Sequence, residues 1–197
     1  KGEAILPAGQ PVRPQETGLL AALGRQKVTV YKRPVVGIIS TGDEIVPVSD
    51  IPGPGQIRDV NTYTLMSQVI EVGAVAVPFG IVHDDFDVLR AKCAQALEQC
   101  DLVLVSGGSS VGARDFTIDV IFAMEASTVL FHGISISPGK PTLMARIQHK
   151  QFWGLPGHVV SAMVVFSRIV KPFLEHLSGM GDYTRKEIRI PARLSRN

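Results

Sequence analysis

The chain has 197 residues, 45% hydrophobic and 19% charged, with a formal net charge of +2. That charge leaves no electrostatic footprint for nucleic acid, and no dense Lys/Arg run occurs. No uninterrupted apolar stretch reaches the ~18 residues that a membrane span needs; the longest candidate, VVSAMVVFSRIV from Val159, is broken by serines and Arg168. A mean hydropathy of +0.21 suits apolar strands buried on both faces of a parallel sheet. The length fits one domain with appendages or two small domains, and needs no covalent staple. The chain starts at Lys1 without methionine or a signal-peptide pattern, which suggests an excised piece of something longer. Cys93 and Cys100, if they share a helix, stand roughly 10 Å apart along its axis, too far for a disulfide. Both are read as reduced and the protein as cytoplasmic.

Residues 1–33 read as the remnant of a preceding module. LPAGQPVRPQETGLLAALG carries three prolines and a short helical turn ending at Gly24, and KVTVYKRP alternates as a short strand. A βα rhythm starts at Pro34. VVGIIS (35–40) is a buried strand. NTYTLMSQVIEVG (61–73) is a helix capped by Asn61, with Leu65, Val69 and Ile70 on one face and Gly73 as its stop. AVAVPFGIV (74–82) is a strand near a sheet edge, because Pro78 interrupts its ladder. Residues 84–100 form a helix with acids in the first turn and Leu89, Cys93, Ala96 and Leu97 inward. DLVLVS (101–106) is a strand, 115–125 a helix with Val120, Ile121 and Met124 inward, and 127–137 holds a further strand. Residues 142–156 form a hairpin turning at His149-Lys150. Residues 159–179 form a long helix with Pro172 as a kink, and a further alternating strand starts after Thr184. The fold class is therefore α/β: a three-layer α/β/α domain over 34–179 with a mostly parallel, mixed sheet, and 180–197 opening a truncated β module.

Ligands of such sheets bind beyond the carboxyl ends of the strands. Four strand exits here carry polar, glycine-rich loops: STGDE (40–44), SGGSSVGARD (106–115), SPGKP (137–141) and LPGH (155–158). In the second, Gly107 and Gly108 remove Cβ atoms where backbone approaches a ligand, and Ser106, Ser109 and Ser110 add hydroxyls. Backbone N–H groups entering the helix near Asp115 favour an anion, with Gly112 in the same loop. Alone, this loop is equally a strand–helix joint. It is neither a Walker A loop nor GxGxxG. Glu44, Asp59, Asp84, Asp85 and Asp115 sit at strand ends or helix starts. At least one of Asp84 and Asp85 is expected to cap its helix. Several acids beside an anion cradle call for an intervening cation, and Mg²⁺ held by carboxylates and phosphate oxygens is the usual solution. Lys140 adds a positive charge in a loop stiffened by Pro138, Gly139 and Pro141. His158 is the only histidine in a strand-exit loop. The remaining four are scattered without zinc spacing, and Ser109 and Ser110 have no His/Asp relay.

IISTGDEIV, GQIRDVN, GIVHDD, SGGSSVGARDFT, SPGKP and GLPGHVVSA occur in the order and approximate spacing of the MoeA-type molybdopterin molybdenumtransferases. The chain resembles this family from about Gly2 to Leu177. It resembles more loosely the MogA-type molybdopterin adenylyltransferases and CinA-like proteins, which share the molybdopterin-binding fold. The resemblance implies an enzyme that takes adenylylated molybdopterin and molybdate, inserts molybdenum at the dithiolene sulfurs and releases AMP with the help of Mg²⁺.

By matching motif positions, Glu44, Asp84 or Asp85, Asp115 and Lys140 resemble the family's catalytic residues, with Glu44, Asp84, Asp85 and Asp115 as metal ligands. Thr41, Gly42, Asp59, Asn61, Ser106, Gly107, Gly108, Ser109, Ser110, Gly112, Pro138, Gly139, Pro156, Gly157, His158 and Ser161 take ligand-binding positions. The family pattern is departed from at Ser109 (valine in GGVSVG), Val60 (a small hydroxyl residue) and His158-Val159 (Asn-Pro). The resemblance also implies a homodimer in the full-length protein and a molybdopterin adenylyltransferase as partner, with no nucleic acid and no membrane. A MogA-like adenylyltransferase and a non-catalytic molybdopterin-binding or sensor domain are the alternative readings.

Overall fold

The computed structural model describes residues 4–107 and 116–180. Gly108, Ser109, Ser110, Gly112 and Asp115 lie outside the described residues, as does the strand expected after Thr184. After a short helix α1 (Pro14–Ala22) the chain enters β1 (Val35–Thr41), the two-residue strands β2 (Ile45–Val46) and β3 (Ile57–Arg58), α2 (Asn61–Glu71), β4 (Val75–Val82), α3 (Phe86–Gln99), β5 (Leu102–Gly107) and α4 (Phe116–Phe122). It continues through β6 (Ser127–His132), β7 (Leu143–Ile147), β8 (Lys150–Leu155), α5 (Val159–Val165), a π-helical stretch (Phe166–Val170) and α6 (Lys171–Leu177).

The main sheet has the order β4-β1-β5-β8-β7-β6. The first four strands run parallel, and β7 lies antiparallel to both β8 and β6. β1 and β5 are apolar up to Ser40 and Ser106 because both their faces are covered. Ile38 and Leu104 face a core built with Leu65 and Val69 of α2, Trp153, and Val165, Phe166 and Leu174 of the last helical run. Ile39, Val103 and Val105 face a second core with Leu89 and Cys93 of α3, Val120 and Ile121 of α4, and Phe152. These are the three layers the alternating pattern implies. β4 is an edge strand, as Pro78 indicates, and its pairing with β1 skips Phe79. The opposite edge strand, β6, skips Leu130 against β7.

Several local expectations are corrected. No strand forms over 27–33. Those residues are exposed, and their alternation finds no sheet edge to join. Tyr31 instead lies over Gly179, where a Cβ would come within 2.3 Å of the ring. Asn61 does not cap α2; it is the first helical residue, and the Thr62 N–H donates to Asp59 Oδ1 at 3.0 Å. Ile70 is exposed rather than sharing the buried face of Leu65 and Val69. Met124 lies only partly buried beside Val120 and Ile121. The β7–β8 turn falls at Gln148-His149, with Gln148 at φ +56 and Lys150 already in β8. The last helix is interrupted by the π-helical stretch just ahead of Pro172, which sits in the first turn of α6. A proline there has no N–H to complete the α-ladder, so the looser register precedes it. Cys93 and Cys100 are unpaired and buried, Cys93 within α3 and Cys100 at its C-cap. Burial pushes the Cys93 thiol up to about 12.

Candidate functional site at the strand exits

The topology sets the carboxyl ends of β1 and β5 side by side at the point where the chain's course across the sheet changes direction. β1 leads through α2 to β4 on one side, while β5 leads into α4 on the other face of the sheet and the chain returns through β8 beyond it. Adjacent strands whose continuations diverge leave an opening at their carboxyl ends. Thr41-Gly42, Ser106-Gly107 and Pro156-Gly157 are the three neighbouring exits.

Asp43, Glu44 and Asp84 gather at the first of these exits. The Thr41 hydroxyl donates to Asp84 Oδ1 at 3.0 Å, joining the end of β1 to the segment after β4. The Asp84 N–H donates to Asp43 Oδ1 at 3.1 Å, and His83 Nδ1 lies 3.6 Å from the same oxygen. Glu44 folds back over Gly42, where a Cβ would sit 2.8 Å from Glu44 Oε2. Partial burial, opposed by the Thr41 hydroxyl and reinforced by the charges of Asp43 and Glu44, raises the Asp84 carboxyl above the ordinary aspartate range. Its neighbour behaves differently: Asp85 Oδ1 accepts from the Val88 N–H at 2.9 Å and caps α3. Thus Asp84 belongs to the acidic rim and Asp85 to a helix start. Among the described residues no group of three or more metal-ligating side chains converges on one point.

Asp59 is buried and internally satisfied. Its Oδ1 accepts from Ser40 Oγ at 2.9 Å as well as from the Thr62 N–H, and Ser40 Oγ also lies 3.0 Å from Thr62 Oγ1. Asn61 Nδ2 donates to Ser106 Oγ and to the Gly157 carbonyl, both at 2.6 Å, and Ser106 Oγ donates to the Pro156 carbonyl at 3.4 Å. Ser40 and Thr62 were not signalled by the sequence reading. The cue was present: Ser40-Thr41 closes an otherwise apolar strand, and a hydroxyl pair at a buried strand end requires partners.

The glycines divide by cause. Gly107 has φ +113, and a Cβ would fall 1.9 Å from the Thr41 carbonyl oxygen. Its glycine is thus demanded by the neighbouring strand. Gly139 has φ +122, and a Cβ would press on Val165 Cγ2 at 2.5 Å, so the SPGKP loop is seated on α5 near Ser161. The Thr142 hydroxyl donates to the Gly139 carbonyl at 2.6 Å within that loop, and Lys140 and Pro138 are exposed. Gly157 is exposed without positive φ, and a Cβ would meet only Gly107 Cα at 3.6 Å. His158 precedes α5, exposed, with no side-chain capping bond.

Residues 37–176 match the sequence pattern of the family described as a probable molybdopterin binding domain. The molybdopterin molybdenumtransferase of Haemophilus influenzae is 36% identical over 185 residues, covering 94% of this chain and 45% of that protein. That of Bacillus subtilis is 37% identical, covering 89% and 40%. A molybdopterin biosynthesis MoeA protein from Pyrococcus horikoshii superimposes with a TM-score of 0.75 at 30% identity, covering 93% of this chain and 43% of that one. A molybdenum cofactor biosynthesis protein B shares the fold, with a TM-score of 0.57 at 18% identity over 76% of this chain and 96% of its own. The chain therefore spans less than half the length of the curated relatives it matches, and the MoeA-type resemblance carried by its six motifs agrees with them. On these matches the chain belongs to the probable molybdopterin binding domain family.

Proposed function

We propose that this chain is the ligand-binding domain of a molybdenum-inserting enzyme, which binds adenylylated molybdopterin and, with Mg²⁺ and molybdate, inserts molybdenum at the dithiolene sulfurs and releases AMP by cleavage of the phosphoanhydride bond. The observation that carries the proposal is the acidic rim of Asp43, Glu44 and Asp84 set beside glycine-rich strand exits. Three carboxylates beside a phosphate-bearing ligand require a cation, and Asp43 and Asp84 are joined by a hydrogen bond on the same rim as Glu44. Asp84 and Glu44 offer hard oxygen donors, too few for a closed cage and suited to an ion that completes its shell with phosphate and water. When bound, such an ion would neutralise charge on the adenylyl phosphate. Thr41 then orients Asp84, and Lys140 supplies a further cation on the rim. Asp115 and the serines of the 106–115 loop belong to the same proposal, as do a homodimer, a partner adenylyltransferase and a cytoplasmic location. Among the described residues no helix is long and apolar enough to cross a membrane.

Calorimetric titration of adenylylated molybdopterin, with and without Mg²⁺, tests this reading. Binding that requires Mg²⁺ and is lost in Glu44→Ala and Asp84→Asn is expected. Binding indifferent to Mg²⁺ and to both substitutions overturns it. AMP release in the presence of molybdate is the expected turnover; formation of the adenylate from ATP would assign the adenylyltransferase activity instead.

A further inference from the structure

We infer that Asn61 is a positioning residue: its side-chain amide latches the turn from β8 into α5 onto the end of β5 rather than touching ligand. The inference rests on the proposed function only in taking this rim as the binding site. Asn61 is 7% exposed, and its amide N–H groups are engaged by acceptors of the chain itself. Its one NH₂ group serves two acceptors, Ser106 Oγ on β5 and the Gly157 carbonyl beyond β8. Ser106 passes a second hydrogen bond to the preceding carbonyl, that of Pro156. Two consecutive carbonyls of one turn are thus held towards the same pair of side chains. A carbonyl oxygen only accepts, so the contact to Gly157 requires the NH₂ side of Asn61 to face it.

The other end of that amide explains why the residue is not merely filling space. Asn61 Oδ1 is buried without a hydrogen-bond partner. A buried acceptor left unpaired is costly, and the arrangement is retained only if the donors opposite it matter. The base of the latch is fixed separately. Ser40 on β1 and the Thr62 N–H both donate to Asp59, which fixes the first turn of α2 on either side of Asn61. One helix start therefore ties together the neighbouring exits of β1, β5 and β8. The turn it holds leads directly into the helix that also seats Gly139 of the SPGKP loop through Val165.

Hydrogen–deuterium exchange of the segment 155–160 reads the latch directly. Asn61→Asp keeps the shape and removes both donors; Asn61→Ala removes the group. Both are expected to raise exchange in 155–160 by about tenfold, the equivalent of one ordinary hydrogen bond, while exchange in β1 and α3 stays at the wild-type level. Ser106→Ala is expected to give a smaller increase, and to add less in the Asn61→Ala background than alone, because only its bond to the Pro156 carbonyl then remains to be lost. It also serves as the second probe where an Asn61 variant fails to fold. Calorimetry with adenylylated molybdopterin and Mg²⁺ on the same variants is expected to show weaker binding in step with the exchange increase. Unchanged exchange at 155–160 in Asn61→Asp overturns the inference, and so does weakened binding with unchanged exchange, which would make Asn61 a direct contact. If the wild-type chain binds no adenylylated molybdopterin, the functional proposal fails while the exchange data still decide the latch.

Discussion

A side chain at position 107 would bring its Cβ to 1.9 Å from the Thr41 carbonyl, whereas one at 157 would meet its nearest neighbour at 3.6 Å. The sequence marks both as glycine and cannot separate the reasons, since the first depends on which strand lies alongside. Gly107→Ala is expected to destabilise folding by about 3 kcal/mol or more, through strained backbone and overlap. Gly157→Ala is expected to change stability by less than about 1 kcal/mol and to act on ligand binding instead; urea melts of the two variants check the contrast. Asp84 is a second case. Its raised carboxyl means that ionisation costs the ligand-free fold some stability. That cost is absent at low pH, where the group is protonated in both states, and grows as pH rises from the ordinary aspartate range through the raised value. Asp84→Asn is therefore expected to melt at or above the wild-type temperature at neutral pH while losing Mg²⁺-dependent binding. The Asp84-Asp85 pair was legible as acids at a helix start. Their division of labour became visible only with Thr41 of β1 beside one and the Val88 N–H before the other.

Among elements, β1, β4, α3 and β5 follow closely from their apolar runs and end signals, because nearest-neighbour chemistry decides them. Where the expectations fail, the deciding contact is one that the hydrophobic pattern does not show. Residues 27–33 have strand-like alternation but no edge to pair with, and Asn61 looks like a cap until Asp59 supplies the cap and Ser106 claims the amide. α1 shows local chemistry at work. Glu16 accepts from the Arg13 backbone N–H at 3.0 Å and from its guanidinium at 2.8 Å, so the N3 glutamate reaches back to the N-cap and pairs with its side chain. The Arg13 guanidinium holds the Glu16 carboxyl down at about 2. A depressed carboxyl contributes stability above its unfolded value and loses it as pH falls towards the folded one. Acidification from the ordinary glutamate range down to about pH 2 is expected to unwind α1 before the main sheet, and Glu16→Gln is expected to abolish that early phase, as followed by amide exchange in 14–22.

For the molecule as a whole, the three layers were legible from the alternation of strands and helices, and the recurrence of glycine after strands directed attention to one end of the sheet. The strand order was not, since apolar β1 and β5 are interchangeable on composition; it comes from which helices cover which face. The two cores lie on opposite sides of one sheet, with Ile38 in one and Ile39 in the other. Each isoleucine-to-alanine change is expected to cost about 2–5 kcal/mol. The pair is expected to sum to within ~0.5 kcal/mol in a double-mutant cycle, because the two side chains pack into different cores. The margins of the sheet have a different consequence. Both outermost strands are irregular, β4 skipping Phe79 next to Pro78 and β6 skipping Leu130. Regular, unpaired edges invite strands from other molecules, and a proline or a bulge breaks the template. In a chain this hydrophobic, those two interruptions act as terminators of sheet growth, guarding against fibrous self-assembly at concentrations where an uninterrupted six-stranded sheet would recruit its own copies.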